Sequence, residues 1–191
     1  MSIKADSIQR VDGQTTLSSS GGILQVVQVK YVMPYYHYEN INASQFEIIP
    51  LRIQITPKET TSKILVQWSF RGNADSSYNR MEFFIYRQIN SGSNANLTSG
   101  NSGNSAGQAA GQWPVSAGGS DQLHMVGGID YLDDPTFSSG DKITYKLYVR
   151  DGNNDGSAFS INRGRANLSN SEETAGASSV TAFEISQNSC K

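Results

Sequence analysis

Between Lys142 and Arg150 the chain alternates: Ile143, Tyr145, Leu147 and Val149 are separated by Thr144, Lys146 and Tyr148. A period of two places the two sets on opposite faces of a pleated strand, and the β-branched, aromatic and long side chains suit a half-buried sheet. The stretch from Ser62 to Arg71 reads the same way, with Ile64, Val66, Trp68 and Phe70 on one face. A third run, Ser179 to Ile185, is less regular; Thr181, Phe183 and Ile185 share a face. Three such runs, far apart in the chain, predict one antiparallel sheet system closing over a common core.

Shorter signals fill the intervals. Ile23 to Val32 predicts a long strand stopped by Pro34, and Tyr35, Tyr36, His37 and Tyr38 follow in a predicted loop. Two short strands flank Pro50, a residue suited to a sheet edge, bulge or strand end. Thr56 to Thr61 makes a turn, Met81 to Arg87 a strand, and Met125 to Leu132 another before the turn at Asp133-Asp134-Pro135. Ala158 to Asn162 and Val180 to Ile185 complete the set. Residues 90–121 are dominated by Ser, Gly, Asn and Ala and predict one long loop, of the kind that is functional or unstructured. About nine or ten short strands with Gly- and Pro-bearing turns and no amphipathic helix predict an all-β fold, an antiparallel β-sandwich or jelly roll. That domain spans 23–191. Residues 1–22, with a turn signal at Asp12-Gly13 and a Ser/Gly joint, are too poor in apolar residues for a core of their own. They form a short extended segment that docks on something else or builds a shaft.

Composition narrows the function. Fifteen Lys and Arg against 17 Asp and Glu give a net charge of -2 over 191 residues, with no basic cluster, which argues against a general nucleic-acid binder. No stretch approaches the ~20 apolar residues of a membrane span. The start lacks the apolar core of a signal peptide, so synthesis in the cytoplasm is expected, and the Asn42, Asn96 and Asn167 sequons are read as chance. The one cysteine, Cys190, cannot make an intrachain disulfide.

Few residues promise chemistry. The run from Asp151 through Asn153 and Asp155 to Gly156 matches the first half of a calcium loop, but the twelfth position is Asn162 instead of a bidentate glutamate. Asn-, Asp- and Gly-rich turns between strands produce the same letters. Asp130, Asp133 and Asp134 form the densest acidic group, a candidate for a cation or an acid–base pair, although Asp-Asp-Pro is also a common turn. His37 and His124 are the only histidines, too few for a triad or a histidine metal site without further support. No phosphate loop, metal motif or cofactor fingerprint occurs, so neither a cofactor nor catalysis is expected. Tyr35, Tyr36, His37, Tyr38 and Trp113 are the recognition candidates, because aromatic faces stack on sugars and anchor protein interfaces.

The order of several short motifs adds a resemblance. Gly21-Gly22-Ile23-Leu24-Gln25-Val26-Val27-Gln28 is followed by Ile55-Thr56-Pro57-Lys58 and Ser62-Lys63-Ile64-Leu65-Val66. Then come Asp133-Asp134-Pro135, Ile143-Thr144-Tyr145-Lys146-Leu147, Phe159-Ser160-Ile161-Asn162-Arg163 and the closing run Ser178 to Ile185. Over residues 21–186 this resembles virion structural proteins and fibre-tip domains of tailed phages, especially marine and cyanobacterial ones. The opening Ile3-Lys4-Ala5-Asp6-Ser7-Ile8 is also similar to the start of phage fibre chains. The resemblance implies a virion location, other virion proteins as partners, a homotrimer with jelly-roll heads, and a short tail fibre or appendage. Such an appendage would contact a host surface polysaccharide or protein. Two other readings stay open: a capsid decoration protein clamped by residues 1–22, and a glycan depolymerase using Asp133, Asp134, Glu82 or Glu184, which would need two carboxyl groups at a set separation.

Overall fold

The computed structural model describes residues 8–9, 15–17, 22–32, 36–41, 44–75, 80–98, 111–114, 123–151, 157–162 and 176–187. The strands, in chain order, begin with β1 (Ile8–Gln9) and β2 (Thr15–Leu17), an antiparallel pair forming a sheet of its own on either side of the Asp12-Gly13 signal. Then come β3 (Ile23–Tyr31), β4 (Tyr36–Ile41), β5 (Phe46–Glu47), β6 (Ile53–Ile55), β7 (Lys63–Asp75) and β8 (Arg80–Ile89). The rest are β9 (Ala95–Asn96), β10 (Gly111–Pro114), β11 (Leu123–Asp133), β12 (Ile143–Asp151), β13 (Ser157–Ile161) and β14 (Ser178–Ile185). The helical content of the described residues is one 3-10 turn, Ile49–Leu51. No helix among them is long and apolar enough to cross a membrane.

The strands from β3 onward make two sheets in which every pairing is antiparallel. In the first, β7 has β11 along one side, and β14 then β13 end to end along the other. Beyond them lie β3, paired with β14, and β4, paired with β13. In the second, β12 pairs with β8 over its whole length and with β6 and then β5 on its other side. The 3-10 turn at Pro50 separates β6 from β5, so the proline interrupts an edge, where a missing N–H costs little. The far side of β8 carries β9 and β10.

Taking β5 with β6 and β9 with β10 as interrupted single strands, the chain contributes eight main strands. Their spatial order is first, eighth, third, sixth in the β7 sheet and second, seventh, fourth, fifth in the β12 sheet. This alternation between sheets is a jelly roll, with β4 and β13 as an added pair.

The core lies between the sheets. Ile64, Val66, Trp68 and Phe70 of β7 face Ile143, Tyr145, Leu147 and Val149 of β12, all at most 1% exposed. Phe83 of β8 meets Phe70 at 5.1 Å and Phe159 at 5.8 Å between ring centres, tilted and edge-on geometries that suit ring quadrupoles. The buried indole of Trp68 donates to the Leu51 carbonyl at 2.9 Å. A Cβ on Gly72 would sit 3.1 Å from the Phe159 ring, so glycine is what lets β7 and β13 approach there.

Several expectations change. Tyr36, His37 and Tyr38 are not in a loop; they lie in β4, because β13 offers a free edge for backbone pairing. The 90–121 loop is punctuated by β9 and β10, which use the open edge of β8 in the same way. The acidic trio is split by strand alternation: Asp130 and Asp134 are exposed, whereas Asp133 is 5% exposed and faces inward. On β14 the buried face is Ser178, Val180, Ala182 and Glu184, leaving Thr181, Phe183 and Ile185 half-buried on the outer side.

Asp133 anchors a polar cluster within the sandwich. One Arg87 guanidinium nitrogen donates to both carboxylate oxygens at 2.9 Å, and the buried Tyr145 hydroxyl donates to Oδ2 at 2.8 Å. Burial first, then the negative charge of Asp133, raises the Tyr145 pKa far beyond the ordinary tyrosine range. A folded-state pKa above the unfolded value gives stability that is full below the unfolded pKa, about 10, and is lost above it. Urea titrations should show a flat midpoint up to about pH 10, then a loss of about 1.4 kcal/mol per pH unit from Tyr145 alone. Tyr145→Phe should flatten that decline; an unchanged slope would remove Tyr145 as its source.

Candidate recognition surface

The outer face of the β12 sheet carries the polar positions of its two best-patterned strands: Thr144, Lys146, Tyr148 and Arg150 on β12, and Glu82, Phe84, Tyr86 and Gln88 on β8. The register sets Tyr148 opposite Phe84 and Lys146 opposite Tyr86, which brings the Tyr86 and Tyr148 rings to 4.4 Å at 48°. Tyr148 donates to Glu47 Oε2 at 3.3 Å, and Tyr86 donates to Gln45 Oε1 at 2.6 Å. Asn94 and Asn96 donate to the two hydroxyls at 3.4 and 3.3 Å. Arg52 closes on Glu47 Oε1, through Nε at 2.7 Å and a terminal nitrogen at 2.6 Å. Burial, and then the charge and hydrogen bond of Glu47, raise the Tyr148 pKa, so this hydroxyl stays a donor at any physiological pH.

The floor of this surface is rigid. Lys146, 6% exposed, donates to Gln88 Oε1 at 2.7 Å and Asn94 Oδ1 at 2.8 Å. Arg150 binds Glu82 Oε2 through two nitrogens at 2.7 and 2.6 Å and lies 5.0 Å over the Phe84 ring. The turn that presents Asn94 is set by Asn90, whose φ of 51° is the left-handed conformation that asparagine tolerates. Its backbone N–H donates to the Lys142 carbonyl at 2.8 Å, and its side-chain oxygen accepts the Lys142 N–H at 2.9 Å. The result is a ledge of two tyrosines ringed by three amides, one carboxylate and one guanidinium. Such a surface offers ring faces to apolar C–H groups and paired donors and acceptors to hydroxyls.

No family model and no curated protein sequence matches the chain.

The aromatic residues singled out by sequence occupy other places. The register sets Tyr36 opposite Ile161, His37 opposite Ser160 and Tyr38 opposite Phe159 on β13. Trp113, on β10, is set opposite the core residue Met81 of β8, in the other sheet. Tyr35 lies outside the described residues. His37, Ser160, Asn73 and His124 form one cross-strand row. Three spacings of about 4.8 Å separate the two histidines, too far to share one ion. Ser160 Oγ in that row is buried without a hydrogen-bond partner among the described residues.

Of the calcium-like run, Asp151 is buried at the end of β12, and Asn153 and Asp155 lie outside the described residues. The described residues hold no group of three or more potential metal ligands. The four carboxylates considered for hydrolysis are each engaged in the framework. Glu82 and Asp133 pair with buried or half-buried arginines, Glu184 is 0% exposed, and Asp134 lies 3.5 Å from Lys63 at the surface.

Proposed function

We propose that the chain is a structural protein of a phage virion, a short tail fibre or appendage that contacts the host surface and performs no catalysis. The observation that carries this reading is the eight-strand jelly-roll order, an architecture shared by viral capsid and lectin domains. The Tyr86–Tyr148 ledge supports a surface polysaccharide as the receptor, since stacking on rings plus hydrogen bonds to amides suits a neutral polyhydroxylated ligand. Many weak contacts of this kind gain strength through repetition in an assembly.

Gold-labelled antibody against the full chain should mark tails of intact particles, and no label on any particle would remove the virion reading. Tyr86→Ala and Tyr148→Ala should each weaken binding of the purified protein to host cells about tenfold, the effect of roughly 1.4 kcal/mol. Their retention with wild-type affinity would exclude this ledge as the receptor site.

A second reading, capsid decoration, draws on the β1–β2 pair, which makes a sheet separate from the jelly roll, as a clamp would. Label spread over heads, with binding lost on removal of residues 1–22, would favour it.

A further inference from the structure

The outer face of the other sheet has a different character. Val26, Phe183, Leu65 and Leu132 lie directly opposite one another in sequence of strands β3, β14, β7 and β11. One apolar row therefore crosses the full width of the sheet on its solvent side. Ile23 and Ile185 extend it by a further row. Ile23, Val26 and Leu132 are 53%, 54% and 54% exposed, an unusual density of bare aliphatic side chains on one flat face.

The charges around this row are arranged asymmetrically. The next row reads Gln28, Thr181, Gln67, Asp130, and the one after it Lys30, Ser179, Ser69, Gly128. Lys30 thus sits on the β3 edge and Asp130 on the β11 edge, both exposed, and neither has an ion-pair partner among the described residues. Lys63, at the other end, is occupied by Asp134.

We infer that this face binds a second copy of the chain, sheet against sheet, about a two-fold axis running along the strands. That operation lays β3 of one copy over β11 of the other. The apolar row then covers itself, Val26 against Leu132, and Lys30 of each copy comes within one row of Asp130 of the other. No like charges are superposed. An isologous interface needs this self-complementarity, and the face supplies it in both its apolar and its charged positions. A three-fold arrangement would not pair the row with itself.

Four strands about 4.8 Å apart and four rows about 6.8 Å apart give roughly 500 Å² per copy, near the lower limit for a specific interface. The dimer should therefore form in the micromolar range. Sedimentation equilibrium of the full chain at tens of micromolar should give twice the 20.7 kDa chain mass. Lys30→Glu and Asp130→Lys should each raise the dissociation constant about tenfold or more, and the double charge swap should restore it. Val26→Glu, at an exposed site, should give a monomer with an unchanged melting temperature. A monomer throughout, a trimer, or a double swap no better than either single variant would overturn the inference. All of these are independent of whether the ledge binds glycans.

Discussion

Glu184→Ala is expected to destabilise the fold by about 3–5 kcal/mol, the range for removing one partner from a buried charged network. Glu184 is 0% exposed on β14, yet its carboxylate is fully engaged. Oε1 accepts the backbone N–H groups of Lys58 and Glu59 at 2.7 and 3.0 Å and the Ser62 hydroxyl at 2.8 Å, while Oε2 accepts the Gln25 amide at 2.8 Å. One side chain thus fastens the turn between β6 and β7 to the strand where the chain closes. Alanine would leave two part-buried backbone donors and the buried Ser62 hydroxyl without their acceptor, and a cavity beside them. With a urea dependence of about 2 kcal/mol per molar for a domain of this size, the unfolding midpoint should fall by about 2 M. Glu184→Gln, which keeps the volume and one acceptor oxygen, should lose roughly half as much. Thr181→Ala, on the outer face of the same strand, should stay within about 0.5 kcal/mol. A Glu184→Ala midpoint indistinguishable from Thr181→Ala would sink the keystone role.

Asp133→Ala should cost about as much, roughly 3–5 kcal/mol, for a related reason. It would strand the Arg87 guanidinium, whose side chain is 21% exposed, and the Tyr145 hydroxyl inside the sandwich. Two single changes separate the contributions. Tyr145→Phe removes only a hydroxyl and leaves the ion pair, at a cost of about 1 kcal/mol. Arg87→Met removes the cation but leaves the carboxylate with Tyr145 as its remaining donor. The double variant Arg87→Met with Asp133→Leu, apolar at both positions, should recover much of the loss, because no charge is then left unpaired. If it is instead as unstable as the sum of its parts, packing and not charge governs the site.

Both keystones explain where sequence reading succeeded and failed. The strands at 62–71 and 142–150 were legible because their alternation is dense enough for only one face to be buried, and an antiparallel sandwich or jelly roll followed from strand spacing and turn residues. Even there, Thr144 and Lys146 are buried on the supposed solvent side: the Gln54 amide of β6 donates to Thr144, and the turn carrying Asn94 closes on Lys146. Alternation reports which residues share a face and says nothing of what else will cover that face. Asp133 read as a turn residue, and Glu184 as one of four carboxylates considered for hydrolysis. Arg87 is 46 residues from Asp133 and the Lys58 amide 126 from Glu184, and even Tyr145 is 12 from Asp133, so no local pattern records these partners.

The candidate ledge was illegible for the same reason. Tyr86 and Tyr148 are 62 positions apart, and the polar residues around their hydroxyls come from β5, the turn after β8, β9, and the stretch before β5. The one available signal was that both tyrosines fall at the polar positions of strongly alternating strands. By contrast, Tyr36, Tyr38 and Trp113 attracted notice as aromatics in polar stretches, and pairing places them in β4, beside β13, and in β10, beside β8, away from this ledge.

By itself, then, the sequence determined the class of structure: period-two hydrophobicity, Pro and Gly at turns and the absence of helical periodicity leave an antiparallel sandwich as the way to bury its apolar residues. Only the tertiary structure decided which face of β14 is inside. The local pattern there offers an apolar set, Thr181, Phe183 and Ile185, and a mixed set containing a glutamate. The mixed set is buried because the 57–62 turn brings donors for Glu184, and hydrogen bonding makes that burial affordable. The displaced apolar set is what gives the outer face its exposed row.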